Sequence, residues 1–318
     1  MQLIVITDPI ASQYINSSNQ EPGLKMITGT TKLLGVIGHP VEHSLSPIMH
    51  NAAIEEMGID YTYLPFPIEP ENLQAALDGF AAIGVVGFNV TIPHKQAIMP
   101  LMSEISSLAS AVGAVNTVVR VSNRWIGTNT DVEGFIAPLQ TTYNRDWSQT
   151  TAVILGNGGA ARAVVAGCAQ IGCASIHVVG RDMAKLSAFR SSWSNSDLGK
   201  NLQVHHWDLL PKLIPQANLL VNTTPIGMYP HVDESRLSYE EIKNLSNDTG
   251  SAVAYDLIYT PNPTLFLQFA QKSGAIAIDG LEMLVQQGAA ALKIWLELDA
   301  VPVDVMRQVL RQRLGIGV

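Results

Sequence analysis

The segment AVILGNGGAARAVVAGCA, residues 152–169, constrains the fold more than any other stretch of the chain. Ala152–Leu155 is apolar and too short for a helix, so it reads as a buried strand. A glycine-rich turn follows, and small residues from Arg162 to Ile171 predict a helix. Gly156, Gly158 and Ala161 then fit the spacing G-x-G-x-x-G/A between a strand and a helix, the context a dinucleotide fingerprint requires. Lacking Cβ atoms, Gly156 can take the tight turn and Gly158 can let a pyrophosphate approach the backbone. The amides and dipole at the helix start would stabilise its charge. A bare glycine turn packed on a strand is the alternative, and the strand–turn–helix context favours the dinucleotide.

A fold built on such a unit needs more parallel strands and helices to cover them. The rest of the sequence alternates accordingly. Strands are predicted at 33–38, 61–65, 85–91, 152–155, 175–179, 202–204, 219–222, 252–256 and 275–278. A hairpin is expected from 114–121 and 124–128, turning at Ser122-Asn123. Helices are expected at 48–57, 71–82, 95–102, 162–171, from 183 and over 282–298, with Asp304 capping a last helix that ends at Gly315. The length of 318 residues suggests about two domains, and an apolar content of 47% is enough for a sizeable core.

Charge and cysteine use narrow the function classes. A net charge of −8 offers nothing to neutralise a phosphate backbone, so no nucleic-acid partner is expected. No stretch reads as membrane-spanning. Two cysteines, Cys168 and Cys173, cannot build a disulfide framework or a four-ligand zinc site, which fits the cytoplasm. The N-terminus lacks a basic segment and a long apolar run, so it is no signal peptide. Residues 1–30 are expected to form a disordered or mis-started extension, because regular patterning begins only near Lys32.

Three places in the sequence carry further chemistry. At the tip of strand 175–179, Gly180 stands where an NAD site usually places an acid, and Arg181 follows. Its guanidinium can pair with a 2′-phosphate, which favours NADP. Arg181 as a solvated charge and Asp182 as a helix N-cap is the plainer reading, and Asp182 could instead oppose the phosphate or serve NAD. In GHPVEHSLSP, Ser44 and Ser46 lie near a predicted helix start, where two hydroxyls suit a carboxylate ligand. Ser46-Pro47 also reads as a simple N-cap and N1 pair. His39, His43 and His50 match no metal spacing and read as structural. In FNVTIPHK, Lys95 sits just past a strand end, where ligands gather in open α/β sheets, and could donate a proton if a carboxylate organises it. Asp131 is available, although spacing alone slightly prefers it as a helix N-cap.

Taken together, GHPVEHSLSP, NVTIPHK, AVGAVNT, NTDVEGF, GNGGAARA, NTTPIGM, YDLIYTPNPT and DGLEMLVQQGAAALKIW resemble the shikimate dehydrogenase family, in the family's order and over residues 33–298. The resemblance implies an α/β protein with a discontinuous substrate domain, residues 31–130 and 281–318, around a doubly wound Rossmann domain, residues 131–280. It implies NADPH-dependent reduction of 3-dehydroshikimate to shikimate in chorismate and aromatic amino-acid biosynthesis. By position, Lys95 and Asp131 are the implied catalytic pair. Ser44, Ser46, Thr91, Asn116, Tyr259 and Gln287, with Asp131, are the implied substrate contacts. Gly156, Asn157, Gly158, Gly159, Ala160, Gly180, Arg181, Asp182, Lys185, Leu257 and Gly280 are the implied NADP contacts. NTTPIGM is expected at the sheet edge beside the nicotinamide.

Two departures from the family pattern bear on the cofactor. Gly180-Arg181-Asp182 stands where the family often has Asn-Arg-Thr, and Leu257 replaces a common methionine. An NAD-dependent quinate/shikimate dehydrogenase is therefore one alternative, and a non-catalytic NADP-sensing regulator is another. Retention of Lys95 and Asp131 argues against the regulator. The expected partner is a small-molecule substrate; oligomeric state, including a homodimer, is left open by the sequence.

Overall fold

The computed structural model describes residues 27–142, 146–245 and 252–316, in which two six-stranded sheets face each other across a cleft. The expected extension lies outside the described residues as far as Met26. Residues 27–30 are placed, with Thr30 donating a 2.7 Å hydrogen bond to Asp60.

The first sheet comprises β1 (Lys32–Gly38), β2 (Tyr61–Pro67), β3 (Gly87–Val90), β4 (Glu104–Ile105), β5 (Thr117–Val121) and β6 (Arg124–Thr128). Helices α1 (Ser46–Glu56), α2 (Leu73–Ala82), α3 (His94–Ala97) and α4 (Ser107–Val112) join them. The strand order is β2-β1-β3-β5-β6-β4, with β1 parallel to both β2 and β3. The expected hairpin is present as β5–β6. Ser122 (φ 49°) and Asn123 (φ 64°) both take positive φ, the type I′ requirement that suits the strands' right-handed twist.

Helix α5 (Asp131–Thr142) leads into the second sheet. That sheet comprises β7 (Thr151–Leu155), β8 (Ser175–Gly180), β9 (Leu202–His206), β10 (Leu219–Asn222), β11 (Val253–Asp256) and β12 (Ile276–Ile278). Helices α6 (Gly159–Gln170), α7 (Met183–Ser191), α8 (Leu210–Leu213), α9 (Tyr239–Ile242) and α10 (Leu265–Lys272) alternate with the strands. All pairings are parallel, in the order β12-β11-β10-β7-β8-β9. The chain therefore reverses its direction of growth between β7 and β10, the switch point where open α/β sheets bind ligands. The strand before NTTPIGM is interior rather than at the edge, and its C-terminal end faces the cleft.

The chain then returns to the first sheet. Helices α11 (Leu281–Leu296) and α12 (Val303–Leu314) bury Leu281, Val285, Leu292, Trp295, Met306 and Leu310 against Leu34, Val36 and Met49. The Trp295 indole donates to the Val118 carbonyl at 2.9 Å, fixing α11 on β5. On the cleft side α11 packs along α5, so one helix touches both the first sheet and the helix that leads into the second. Among the described residues, no helix is long and apolar enough to cross a membrane.

Three expected helix starts shift. Helix α6 begins at Gly159 rather than Arg162, since helix-disfavouring glycine masks its first turn. Ser46 is the first residue of α1 and not its N-cap; Leu45 holds that position with no side-chain cap. Asp304 lies inside the first turn of α12 behind Pro302, where its carboxylate accepts from Arg307.

His50 reads structurally, as expected. It is fully buried, stacks on Tyr63 with ring centres 4.1 Å apart, and donates through Nδ1 to the Ser46 carbonyl at 2.8 Å. Desolvation pulls its pKa from 6.5 to about 4. Between those values the unfolded chain takes up a proton that the folded chain refuses. Stability present above pH 6.5 is thus lost as pH falls toward 4, on the order of 3 kcal/mol in all. Urea unfolding of wild type and His50→Gln should show the wild-type advantage shrinking from pH 7 to pH 4.5. A pH-independent difference would contradict the assignment.

Candidate active site

Lys95 is placed by the turn that follows β3. Thr91 donates to the Ile37 carbonyl at 2.9 Å, and His94 donates through Nε2 to the Ile68 carbonyl at 2.7 Å. With its own carbonyl held by the Val115 amide at 2.8 Å, Lys95 projects its side chain into the cleft. Asp131 opens α5 from the opposite direction, with its amide donating to Asn129 Oδ1 at 3.0 Å. Though 36 positions apart, Lys95 Nζ donates to Asp131 Oδ2 at 2.6 Å. Asp131 is therefore not spent as an N-cap: its two oxygens accept from Lys95 and Asn116.

Side-chain exposures of 17% for Lys95 and 7% for Asp131 make this a nearly buried ion pair. Desolvation of both charges offsets most of such a pair's attraction, so stability alone is a weak reason for it. Asn116 shows how the carboxylate is held. Its Oδ1 accepts from the Thr130 amide at 2.7 Å, which leaves Nδ2 to donate to Asp131 Oδ1 at 2.7 Å. Gln287 of α11 lies within 3.4 Å of the same Nδ2, so the returning helix closes the network. Behind it, Asn89 accepts from the Tyr63 hydroxyl at 2.7 Å and donates to Thr117 at 3.2 Å. Asn89, Thr117, Thr130 and Tyr63 were outside the expected contact set; NVTIPHK, AVGAVNT and NTDVEGF contain the first three, and no quoted motif contains Tyr63.

Ser44, Ser46, Thr91 and Tyr259 line the same end of the cleft. Ser44 Oγ accepts from the Ser46 amide at 3.3 Å, which holds the Ser44 hydroxyl at the start of α1. Tyr259 comes from the loop after β11, and burial raises its phenol above the usual range. Asp256 anchors that loop. Its carboxylate accepts from Asn222 (3.0 Å), Thr264 (2.7 Å) and the Ile258 amide (3.1 Å), while burial pushes its pKa to about 6. Among the described residues no group of three or more metal-ligating side chains converges.

The opposite wall is the glycine turn. Gly156 has φ of 103° and donates to the Val179 carbonyl at 2.8 Å; a Cβ there would also meet Thr223 Oγ1 at 2.8 Å. Gly158 caps α6 and has open space where a Cβ would stand. The first-turn amides of α6 have no intrahelical acceptor, so the turn is a cradle shaped for a phosphate group. Gly280 serves close approach: a Cβ would lie 2.1 Å from the Leu257 carbonyl oxygen. Asn157, Gly159, Ala160, Gly180, Arg181 and Leu257 complete the expected lining.

Asp182 and Lys185 fall outside the cleft wall. Asp182 Oδ1 accepts from the amides of Ala184 (2.9 Å) and Lys185 (3.1 Å), so the carboxylate caps α7. Thr223, Thr224, Trp207, Met228, Arg236 and Met283 line the cleft without having been expected. NTTPIGM contains the two threonines and Met228, and DGLEMLVQQGAAALKIW contains Met283, but no quoted motif contains Trp207 or Arg236.

The cleft encloses about 730 Å³, room for a small acid and the reactive end of a dinucleotide. A parallel sheet with a glycine cradle at its switch point, facing a lysine–carboxylate pair, defines the class: a pyridine-nucleotide-dependent oxidoreductase of two α/β units. The sequence matches a family model for the shikimate dehydrogenase substrate binding domain over residues 36–118. It matches one for the shikimate 5'-dehydrogenase C-terminal domain over residues 280–311. A shikimate dehydrogenase (NADP(+)) from Trichormus variabilis is 73% identical over 291 residues, 92% of this chain and 100% of that protein. A crystal structure of shikimate dehydrogenase in complex with NADP+ superposes with a TM-score of 0.81 at 39% identity, covering 91% of this chain and 98% of the other. The Thermus thermophilus enzyme, in complex with NADP(H) and shikimate, gives 0.77 at 32%, covering 88% and 99%. The chain belongs to the shikimate dehydrogenase family.

Removing Asn116 strips a donor from buried Asp131 and an acceptor from the Thr130 amide. Asn116→Ala should therefore cost about 1–3 kcal/mol of unfolding free energy. Urea titration measures this directly, and an unchanged midpoint would show that the network does not hold the carboxylate.

Proposed function

We propose that this chain catalyses the reversible NADPH-dependent reduction of 3-dehydroshikimate to shikimate, in the route to chorismate and the aromatic amino acids. The observation that carries the reading is the 2.6 Å contact of Lys95 with Asp131, opposite the glycine cradle. The division of labour follows from the two walls. Residues 31–130 with 281–318 bind the substrate, and residues 131–280 hold the dinucleotide. Gly156, Asn157, Gly158, Gly159 and Ala160 would receive the pyrophosphate, Arg181 the 2′-phosphate, and Leu257 and Gly280 would flank the nicotinamide. Bound NADPH supplies a hydride to the C3 carbonyl carbon.

The chain's own residues supply the rest. Ser44 and Ser46 bind the ring carboxylate, and Thr91, Asn116, Tyr259 and Gln287 hold the ring so that C3 faces the second wall. Negative charge grows on the C3 oxygen as its double bond opens. The Lys95 ammonium stabilises that charge and transfers a proton to the oxygen, and solvent later reprotonates the neutral amine. Asp131 orients Lys95 and accepts a hydrogen bond from the neighbouring ring hydroxyl. Asp182 caps α7 through Oδ1 and lies off the cleft lining that holds Arg181, which supports NADP over the NAD-dependent alternative. The paired Lys95 and Asp131 favour a catalyst over a sensor.

The same reading places the enzyme in the cytoplasm, in keeping with two free cysteines, and without nucleic-acid or membrane partners. A homodimer is the proposed assembly, which sedimentation equilibrium tests.

Lys95→Ala should lower kcat by about 10²–10⁴-fold, the usual worth of a positioned acid, with NADPH affinity nearly unchanged. Stopped-flow turnover with fluorescence titration of NADPH separates the two, and near-wild-type turnover would remove Lys95 from the mechanism. Arg181→Gln should raise the KM for NADPH by about tenfold or more while hardly changing that for NADH. Equal effects on both would defeat the 2′-phosphate role.

A further inference from the structure

Among the described residues, Arg236 has no counterion in the wall of the cofactor half of the cleft. It lies in the loop between β10 and α9 and lines the cleft with Gly180 and Arg181. Its guanidinium sits over the Trp207 ring, 5.6 Å from the centroid, and Trp207 directly follows β9. Among the described residues Arg236 makes no ion pair, and its buried Nε–H has no acceptor. The indole Nε1–H of Trp207 is likewise buried without one.

Two acids close in sequence to Arg236 or Trp207 pair elsewhere, and Asp233, three residues before Arg236, makes no ion pair with it among the described residues. Glu234 accepts from His231 at 2.8 Å, and Asp208 pairs with His206 at 2.9 Å. A half-buried guanidinium that stacks on an aromatic face keeps its in-plane donors for a ligand. The in-plane geometry of those donors matches a phosphate. The β8 tip beside it is where the adenosine end of a dinucleotide reaches in this fold.

We propose that Arg236, seated on Trp207, is a second specificity-determining guanidinium for the cofactor's 2′-phosphate, clamping it opposite Arg181. The inference rests on the NADP-binding reading of the same cleft and adds a residue from a different loop. It also accounts for how an NADP site works without the Asn and Thr that often flank the arginine: the lost hydrogen bonds are offset by a second charge.

Calorimetric titration with 2′,5′-ADP and with 5′-AMP tests it. Wild type should bind 2′,5′-ADP more tightly than 5′-AMP. Arg236→Gln should weaken 2′,5′-ADP by about tenfold or more and leave 5′-AMP within about twofold. Trp207→Leu should weaken 2′,5′-ADP by a smaller factor, because the guanidinium loses its seat. If Arg236→Gln keeps the full wild-type preference, or weakens both ligands equally as an adenine-stacking residue would, the clamp is overturned while the cofactor reading stands. If wild type itself shows no preference, the NADP reading fails and the clamp with it.

Discussion

The Lys95–Asp131 ion pair is the contact on which the rest of the site depends, because it joins two elements that approach the cleft from opposite directions. Burying both charges costs several kcal/mol per ion before their attraction is counted, so the pair persists only where surrounding hydrogen bonds complete it. Asn116 supplies that completion on the carboxylate side. Its amide is itself oriented by the Thr130 backbone, so the second Asp131 oxygen is committed before any ligand arrives. The result is a nearly buried ion pair whose geometry is set before any ligand arrives, the preorganisation that the proposed proton donor needs.

The fold delivers this arrangement through two crossings of the chain. The first runs from β6 through Asn129 and Thr130 into α5, which puts Asp131 at a helix N-terminus where a carboxylate is favoured by the backbone dipole. The second is the return of α11 from the parallel sheet to the first sheet, where Gln287 closes over Asn116 and Trp295 anchors on β5. Helix α11 packs on α5 along one side and on the first sheet along the other, so this helix pair couples the two sheets. Across the cleft, Gly156 and Gly280 allow backbone to approach where any side chain would collide.

Local patterns were legible where a residue's own backbone needs dictate its type. The glycine turn, the Ser122-Asn123 hairpin and the Gly315 stop all follow from which residues tolerate positive φ. Asp131 was ambiguous for a physical reason: a carboxylate at a helix start can cap its own amides or reach elsewhere. Only the tertiary position of Lys95 decides between them, and the motif resemblance anticipated that outcome when spacing did not. Ser46 misled in the opposite way, because Pro47 suits the second helical position as well as the first. Trp207 and Arg236 were invisible in the sequence: a lone arginine in a polar loop becomes a candidate ligand only when an indole from another strand end comes beneath it.

The central claim is that Lys95 and Asp131 act as one unit on the reacting oxygen. A double-mutant cycle on kcat, using Lys95→Met, Asp131→Asn and the combined variant, measures that directly. The account predicts strong non-additivity, with the double variant scarcely slower than the slower single one. Effects that multiply, each residue costing the same whether or not the other is present, would contradict it.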